Sequence, residues 1–174
     1  KAESRGLGDV YKRQLLLSDL LDLSQLEVNN PEKELVSLNS IIDAEIGFLS
    51  NENKNRVVFE SEDIEFLIDP NDFSMIIRNL LRNACNYSEL DKEINVNLFK
   101  DKSSIVLSVV DKGRGIATSD HERIFERFYR VDKGRSRSLG GTGIGLSIVK
   151  HAVDRNGGLI LSLIHISEPT RLSL

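Results

Sequence analysis

The residues best placed to do chemistry lie at the end of one predicted strand. The alternating run Ser-Ile-Val-Leu-Ser at 104–108 is typical of a strand and leads into Val-Val-Asp-Lys-Gly-Arg-Gly-Ile at 109–116. Asp111 offers a carboxylate that can accept from an exocyclic amine, while Gly113 and Gly115 let the backbone approach a flat ligand. This combination suits an adenine ring, but a surface turn closing a hairpin has the same pattern.

A second set of polar residues lies on a helix that the pattern predicts over 71–87. Its apolar residues share one side, whereas Asn79, Asn83 and Asn86 recur at steps of four and three on another. Asparagine is a poor helix former, so the row needs a compensating interaction. An amide oxygen is a neutral ligand suited to Mg²⁺, which completes its shell with water and phosphate oxygens. From this helix alone, a metal-binding row and a solvated polar face are equally good interpretations.

A third segment is rich in glycine and lies just before a predicted helix over 146–155. It reads Gly-Gly-Thr-Gly-Ile-Gly-Leu at 140–146, so free amides at the helix start could meet phosphate oxygens. It has neither the Gly-Lys-Ser/Thr of a Walker loop nor the preceding strand of a Rossmann turn. Before it, a glycine-hinged loop over 129–141 has the charge that a lid over anionic phosphates requires, at Arg130, Lys133, Arg135 and Arg137.

In this order and at these separations, the three segments resemble the N, G1 and G2 boxes of the Bergerat-fold ATPases, most closely those of sensor histidine kinases. Ile-Phe-Glu-Arg-Phe-Tyr-Arg-Val-Asp at 124–132 looks like the F box of that family. The resemblance implies an α+β fold, a two-layer α/β sandwich in which helices cover one face of a mixed sheet. It also implies a domain that binds ATP and Mg²⁺ and transfers the γ-phosphoryl group to a histidine, from which a response regulator takes the phosphate.

The resemblance gives roles to single residues. It makes Asn83 the metal ligand and Asp111 the acceptor for the adenine amine. The other residues that it implies at the nucleotide are Asn79, Arg82, Asn86, Tyr87, Gly113, Gly115, Ile116, Arg130, Gly141, Thr142, Gly143, Ile144, Gly145 and Leu146. The family often has lysine at the position of Asn86, and our hypothesis is that Arg82 replaces that phosphate contact. In the basic loop we rank Arg130 above its neighbours, because its family counterpart reaches the phosphates.

The leucines of the predicted helix over 15–28 form an apolar stripe, at 16, 17, 20, 21, 23 and 26. The resemblance makes residues 15–30 the tail of a dimerisation and phosphoacceptor helix, so the full-length parent would be a homodimer. An ordinary amphipathic helix packed on its own domain fits the stripe equally well. No histidine present has the context of an acceptor, neither His121, His151 nor His165, so we expect no catalytic residue here and an acceptor that precedes Leu15.

The remaining pattern predicts the scaffold of a domain over 31–160, which the resemblance makes a C-terminally truncated ATP-binding catalytic domain. We expect a strand at 34–38, a helix capped by Asn39 and a polar turn at 51–55. Two hairpins should follow, one pairing 57–60 with 64–68 and one pairing 93–100 with 103–110. Ser119 has capping-box spacing and predicts the start of a short helix through Phe128.

The two ends of the chain are related through the genetic code. Ser4–Gln14 can be written in codons whose reverse complement translates, without a mismatch, into Leu161–Arg171, and this DNA resembles a transposase adapter used in sequencing libraries. We therefore expect 1–14 and 161–174 to be adapter-derived and exclude them from fold reasoning. The sheet should then lack its last strands and expose an edge.

Composition bounds the remaining possibilities. The chain has 174 residues, of which 40% are hydrophobic and 29% charged, with a formal charge of -4, which suits one soluble domain rather than a nucleic-acid binder. No apolar run is long enough to cross a bilayer, and Cys85, the single cysteine, fits a reduced thiol in the cytoplasm. Membrane anchoring of the parent is implied only by the family's habit.

Two other functions remain open. The fragment could bind nucleotide without any transfer. It could also be a Bergerat-fold serine kinase or an ATPase of the gyrase and MutL kind, since these share the three boxes. Those proteins lack the Phe-Tyr-Arg-Val-Asp and Leu-Leu-Asp-Leu-Ser segments found here at 128–132 and 20–24, so we rank them lower.

Overall fold

The computed structural model describes residues 2–131, 141–162 and 170–173, with only the backbone of 2–9 and 170–173. The helices within this part of the chain are α1 (Ala2–Val28), α2 (Leu38–Gly47), α3 (Asn51–Lys54), α4 (Pro70–Tyr87) and α5 (Gly145–Arg155). The strands are β1 (Glu34–Ser37), β2 (Val57–Ser61), β3 (Glu65–Ile68), β4 (Ile94–Asp101), β5 (Ser104–Val110), β6 (Leu159–Leu161) and β7 (Thr170–Ser173). Between β5 and α5 lie two short 3-10 turns, Thr118–Asp120 and Arg123–Phe125.

The main sheet is mixed, as the sequence predicts. Its five strands run in the order β2-β4-β5-β7-β6, with β2 parallel to β4 and all other neighbours antiparallel. A separate antiparallel ladder joins β1 to β3. Helix α4 packs between α2 and α5, and the three helices share one apolar core with the sheet. The predicted α+β class with helices packed on a mixed sheet is therefore confirmed.

Helix α4 is the centre of this core. Its predicted apolar side is buried against the sheet and the neighbouring helices, through Phe73, Ile76, Ile77, Leu80, Leu81 and Ala84. Opposite it, β4 buries every second residue, namely Ile94, Val96 and Leu98. Burying one such aliphatic side chain is worth about 1.5–3 kcal/mol, so these residues contribute strongly to the stability of the domain.

The predicted hairpin between 57–60 and 64–68 is wrong. Strand β2 pairs with β4, and β3 pairs with β1 in the other sheet. The reason is Asn39, whose side chain donates 2.8 Å to the Glu62 carbonyl and accepts 3.0 Å from the Ile64 amide. These bonds satisfy the backbone between the two strands and turn the chain from one sheet into the other. The second predicted hairpin, β4 with β5, is confirmed.

Three predicted local features also differ from the structure. Ser37, not Asn39, caps α2 by accepting from the Ser40 amide, since Asn39 is engaged with the crossover. The predicted polar turn at 51–55 contains the single helical turn α3, capped by Ser50. The predicted capping box at Ser119 is absent, because the 3-10 turn there starts after Ala117 and has no side-chain cap bond.

The sheet has more strands at its end than we expected. Backbone pairing places β7 between β5 and β6, so the far side of β5 is paired rather than exposed. An open strand edge presents unpaired N–H and C=O groups, which an extended segment satisfies whatever its origin. The expected exposed edge at β5 is thus wrong for the described residues. Because β7 lies within the segment that we expect to be adapter-derived, the absence of the family's own last strands stays a prediction.

The first residues of α4 depend on Asp69, which is buried. Its carboxylate accepts from the amides of Asn71 (2.9 Å), Asp72 (3.3 Å) and Glu32 (2.8 Å). Replacing Asp69 with alanine should lower the free energy of unfolding by about 1–2 kcal/mol, since a helix cap is lost and buried amides lose their acceptor. Urea denaturation measures this change. Asp63→Ala, an exposed aspartate on the crossover, should shift it by less than about 0.5 kcal/mol, and equal losses in both variants would contradict the assignment.

Candidate functional site

The predicted adenine loop lies directly against the end of α4. A Cβ built on Gly113 would lie 2.6 Å from the carbonyl oxygen of Tyr87, a distance that side chains do not tolerate. Glycine is therefore required for this approach of one backbone to another. The contact places Asp111, two residues earlier, beside the last turn of the asparagine helix.

The carboxylate of Asp111 is oriented by a backbone hydrogen bond. Its Oδ1 accepts 2.7 Å from the Gly113 amide, which fixes the side chain. Asp111 is exposed to solvent, although neighbouring protein atoms partly desolvate its carboxylate. This partial desolvation raises the pKa of Asp111, while the Gly113 amide and the positive charge of Arg56 oppose the rise.

The three asparagines of α4 have different environments. Asn79 is buried, donates 2.8 Å to the Met75 carbonyl and accepts 2.5 Å from Arg82, so its amide is engaged within the protein. Asn83 and Asn86 are half-buried, and their side chains form no hydrogen bond with any residue that the structure describes. The two free amides lie on the exposed side of α4, as the spacing predicts.

The glycine-rich segment closes on the same helix. A Cβ on Gly145, the first residue of α5, would lie 2.9 Å from Asn79 Oδ1 and 3.0 Å from Arg82 Nη2. A Cβ on Gly141 would lie 3.4 Å from the hydroxyl of Tyr87. The first turn of α5 has no side-chain cap bond at its N-cap residue, Ile144. The three predicted segments therefore meet around the C-terminal half of α4.

The apolar residues predicted at the nucleotide are buried to different extents. Ile144 is fully buried, and its amide N–H is engaged because it donates 3.2 Å to Thr142 Oγ1. Leu146 is half-buried and packs against the core. Ile116, at the end of the adenine loop, is half-buried as well.

The basic residues are arranged unequally. Arg130 is half-buried, and its Nε and Nη2 are shielded from solvent without a hydrogen-bond partner among the described residues. Arg82 instead forms an ion pair with Asp19 of α1, at 2.9 Å and 3.2 Å. Lys133, Arg135, Arg137 and His165 lie outside the described residues, so their predicted roles stay predictions. His121 is on the surface turn, with Nε2 3.3 Å from the Ile116 carbonyl.

Sequence reasoning missed Arg56, whose side chain holds the segment that follows the last turn of α4. Its side chain is 5% exposed and donates 2.9 Å to the Lys92 carbonyl and a further bond to the hydroxyl of Ser88, the C-cap of α4. Its charge lowers the pKa values of both Asp111 and Cys85 against the effect of burial. The only signal in the sequence was a single arginine directly before an apolar strand, which is too common to single it out.

Comparison with known proteins agrees with this geometry. The profile of the family described as "Histidine kinase-, DNA gyrase B-, and HSP90-like ATPase" matches residues 68–172, more than half of the chain. The chain belongs to this family of ATPases. Among its relatives, the sensor-like histidine kinase SenX3 of Mycolicibacterium smegmatis is 35% identical over 92% of this chain and 42% of its own length. The chain is thus similar to the ATP-binding part of sensor histidine kinases, and it spans less than half of the length of that relative.

Solved structures show the same fold. The mycobacterial sensor histidine kinase MprB matches with a TM-score of 0.63 at 25% identity, over 81% of this chain and 93% of that one. Full-length ShkA, in complex with AMPPNP, matches with a TM-score of 0.78 at 19% identity, over 99% of this chain and 37% of that one. In the described part of the chain, no helix has the length and apolar character needed to span a bilayer.

Gly143 couples the glycine-rich segment to the F box. Its φ is +76°, a Cβ there would lie 2.9 Å from the backbone carbon of Phe128, and its carbonyl accepts 2.8 Å from the Phe128 amide. Gly143→Ala should lower the free energy of unfolding by roughly 2–5 kcal/mol, through both backbone strain and the clash, and should weaken nucleotide binding.

Gly157 provides the matched control for this prediction. It has nearly the same φ, +79°, but a Cβ there would meet nothing within 4 Å. Gly157→Ala should therefore lose only about 1–2 kcal/mol and leave nucleotide affinity unchanged. Chemical denaturation and nucleotide titration of both variants measure the difference, and identical behaviour would show that the contact with Phe128 has no importance.

Proposed function

We propose that residues 31–160 bind Mg-ATP in the cleft between α4, the adenine loop and the start of α5, and use it as a histidine protein kinase. Asp111 accepts the adenine amine, Gly113, Gly115 and Ile116 border the ring, and Tyr87 adjoins the sugar and phosphates. The amides of 141–146, apart from that of Ile144, and the guanidinium of Arg130 bind phosphate oxygens. Residues 15–30 would be the tail of the dimerisation helix, and 1–14 and 161–174 adapter-derived sequence.

The observation that supports this proposal most is the meeting of three segments far apart in the chain. Glycine at 113 allows contact with Tyr87, and glycine at 145 allows contact with Asn79 and Arg82. The backbone contact at Gly113 leaves no room for a side chain, and a Cβ at Gly145 would displace the side chains of Asn79 and Arg82, so both glycine segments lie close against α4. Arg130 adds buried N–H groups that have no acceptor within residues 2–131 and 141–162, and an anionic ligand would supply one.

The residues present fit a magnesium ion that is held mainly by the nucleotide. Asn83 offers a half-buried amide with no other partner in the described part of the chain. Among those residues no cluster of three or more His, Cys, Asp or Glu side chains could enclose a metal. A single neutral oxygen suits Mg²⁺, which keeps several waters and takes its remaining ligands from phosphates. When bound, the ion would neutralise charge on the transferred group.

The transfer itself needs a histidine from outside the described domain. In the proposed step an imidazole nitrogen bonds to the γ-phosphorus, and the bond to the β,γ-bridging oxygen breaks to release ADP. Such a step depends on positioning and charge neutralisation, which a domain holding nucleotide, metal and Arg130 can supply. The acceptor would lie on a preceding helix of the homodimeric parent, and a response-regulator receiver domain would then take the phosphoryl group. The parent would work in the cytoplasm, anchored at the membrane.

Nucleotide titration with and without Mg²⁺ tests the binding proposal. Wild-type protein should bind ATP more tightly with Mg²⁺, and Asn83→Ala should lose about 1.5–3 kcal/mol of that gain while binding Mg²⁺-free nucleotide normally. Isothermal titration calorimetry measures both. Equal losses with and without metal would refute the role of Asn83, and no binding of ATP by the wild type would refute the function. Adding a separate acceptor hairpin with labelled ATP then distinguishes transfer, seen as phosphohistidine, from binding alone.

The pH dependence of affinity tests Asp111. The carboxylate form accepts the adenine amine, so affinity should fall as pH decreases through the pKa of Asp111. Because desolvation raises that pKa, the loss should begin at higher pH than for an ordinary aspartate. Asp111→Asn should bind roughly 10- to 100-fold more weakly at neutral pH, the usual contribution of a charged hydrogen bond.

The same variant controls for titration of the phosphates. Since Asp111→Asn binds the same nucleotide, the ratio of wild-type to variant affinity removes any protonation of ATP itself. This ratio should approach one at acid pH. A ratio that does not change with pH would exclude Asp111 as the charged acceptor.

A further inference from the structure

Helix α1 is attached to the catalytic domain by a series of acidic residues. Asp22 pairs with Arg78 at 2.9 Å, and Glu27 pairs with Arg127. Between these contacts Leu23 and Leu26 are buried in the shared core, while Leu17 and Leu21 on another side are 60% and 56% exposed. The helix therefore docks by one face and leaves another face open.

One of these acidic contacts differs from the rest. Asp19 is only 1% exposed, and both of its carboxylate oxygens are engaged. Arg82 donates to Oδ1 at 2.9 Å and to Oδ2 at 3.2 Å, and the hydroxyl of Thr142 also donates to Oδ2. By contrast, Asp22 and Glu27 pair with half-exposed arginines, contacts that contribute little in water.

The position of this carboxylate is what suggests a function. Arg82 Nη2 lies 3.0 Å from the point where a Cβ of Gly145 would be, at the first residue of α5. Thr142 belongs to the glycine-rich segment itself. A negative charge near a helix N-terminus that has no side-chain cap bond is favourable, and a phosphate group would be favourable there for the same reason.

We propose that Asp19 is an internal anion that competes with the nucleotide phosphates for Arg82 and Thr142. Docking of α1 would then weaken binding of a phosphate-bearing nucleotide, and by linkage the nucleotide would weaken docking of α1. This inference rests on the proposed function, because it assumes that phosphates reach the start of α5. The other role open to Asp19 is a structural anchor beside the phosphates, which would leave affinity unchanged or lower it when removed.

Two ligands and two variants distinguish these roles. The protein is titrated with adenosine and with a non-hydrolysable ATP analogue, for the wild type, Asp19→Asn and Asp22→Asn. Competition predicts that Asp19→Asn binds the triphosphate at least about fivefold more tightly, the lower end of usual couplings between sites, and binds adenosine unchanged. Asp22→Asn removes the same charge from the same helix away from the phosphates, so both of its affinities should stay within about twofold of the wild type.

Each other result has a defined meaning. Triphosphate affinity that is unchanged or weaker in Asp19→Asn would overturn the competition and leave the proposed function intact. Tighter binding of adenosine as well, or equal gains in Asp22→Asn, would also overturn it, because the effect would not concern phosphates. If the wild type and both variants bind neither ligand, the proposed function has failed instead.

A measurement on the wild-type protein covers the case in which Asp19→Asn does not fold. Backbone hydrogen exchange over residues 15–28 is followed with no ligand, with adenosine and with the triphosphate analogue. Competition predicts faster exchange of this segment only with the triphosphate, since the helix loses its docking contacts. Exchange that is unchanged or slower with the triphosphate would refute the proposal without any variant.

Discussion

The contact of two glycine segments with one helix is the constraint on which this domain depends. Helix α4 packs its apolar side into the core and carries candidate site residues on another side, so one helix positions both. Gly113 meets the backbone of α4 at Tyr87, at a distance that forbids a side chain, and Gly145 lies against the side chains of Asn79 and Arg82. The fold therefore sets the shape of this region through backbone contact at Gly113 and through the hydrogen-bonded side chains of Asn79 and Arg82 at Gly145.

Much of this arrangement could be predicted from local patterns. The α4 helix, the β4–β5 hairpin and the apolar side of α4 follow from periodicity, and the order of the motifs indicated the family. The errors came from interactions between distant residues. Asn39 redirects the chain between β2 and β3 through side-chain bonds to Glu62 and Ile64, and no local pattern encodes such a contact.

The site shows the same division between local and distant information. The residue types at Asp111 and along α4 predicted a nucleotide site only in combination, because each motif alone also fits a surface turn or a solvated helix face. The partner of Arg82 could not be foreseen, since Asp19 lies 63 residues away on a helix whose packing the leucine stripe left undecided. Asn79 also proved to be a support for Arg82, because its oxygen accepts from that guanidinium.

The end of α1 is held by a different residue from its middle. Arg155 donates 2.7 Å to the Leu26 carbonyl and lies 3.0 Å from Asp72 at the start of α4, so it fixes the last turn of α1 to two other helices. From Leu26 back to Asp19 is roughly 10 Å at 1.5 Å per residue, so a tilt of about 10° around this fulcrum moves Asp19 by about 2 Å. A small rotation of α1 about Arg155 would therefore separate Asp19 from Arg82 and Thr142 while the contact of Arg155 with Leu26 stays in place.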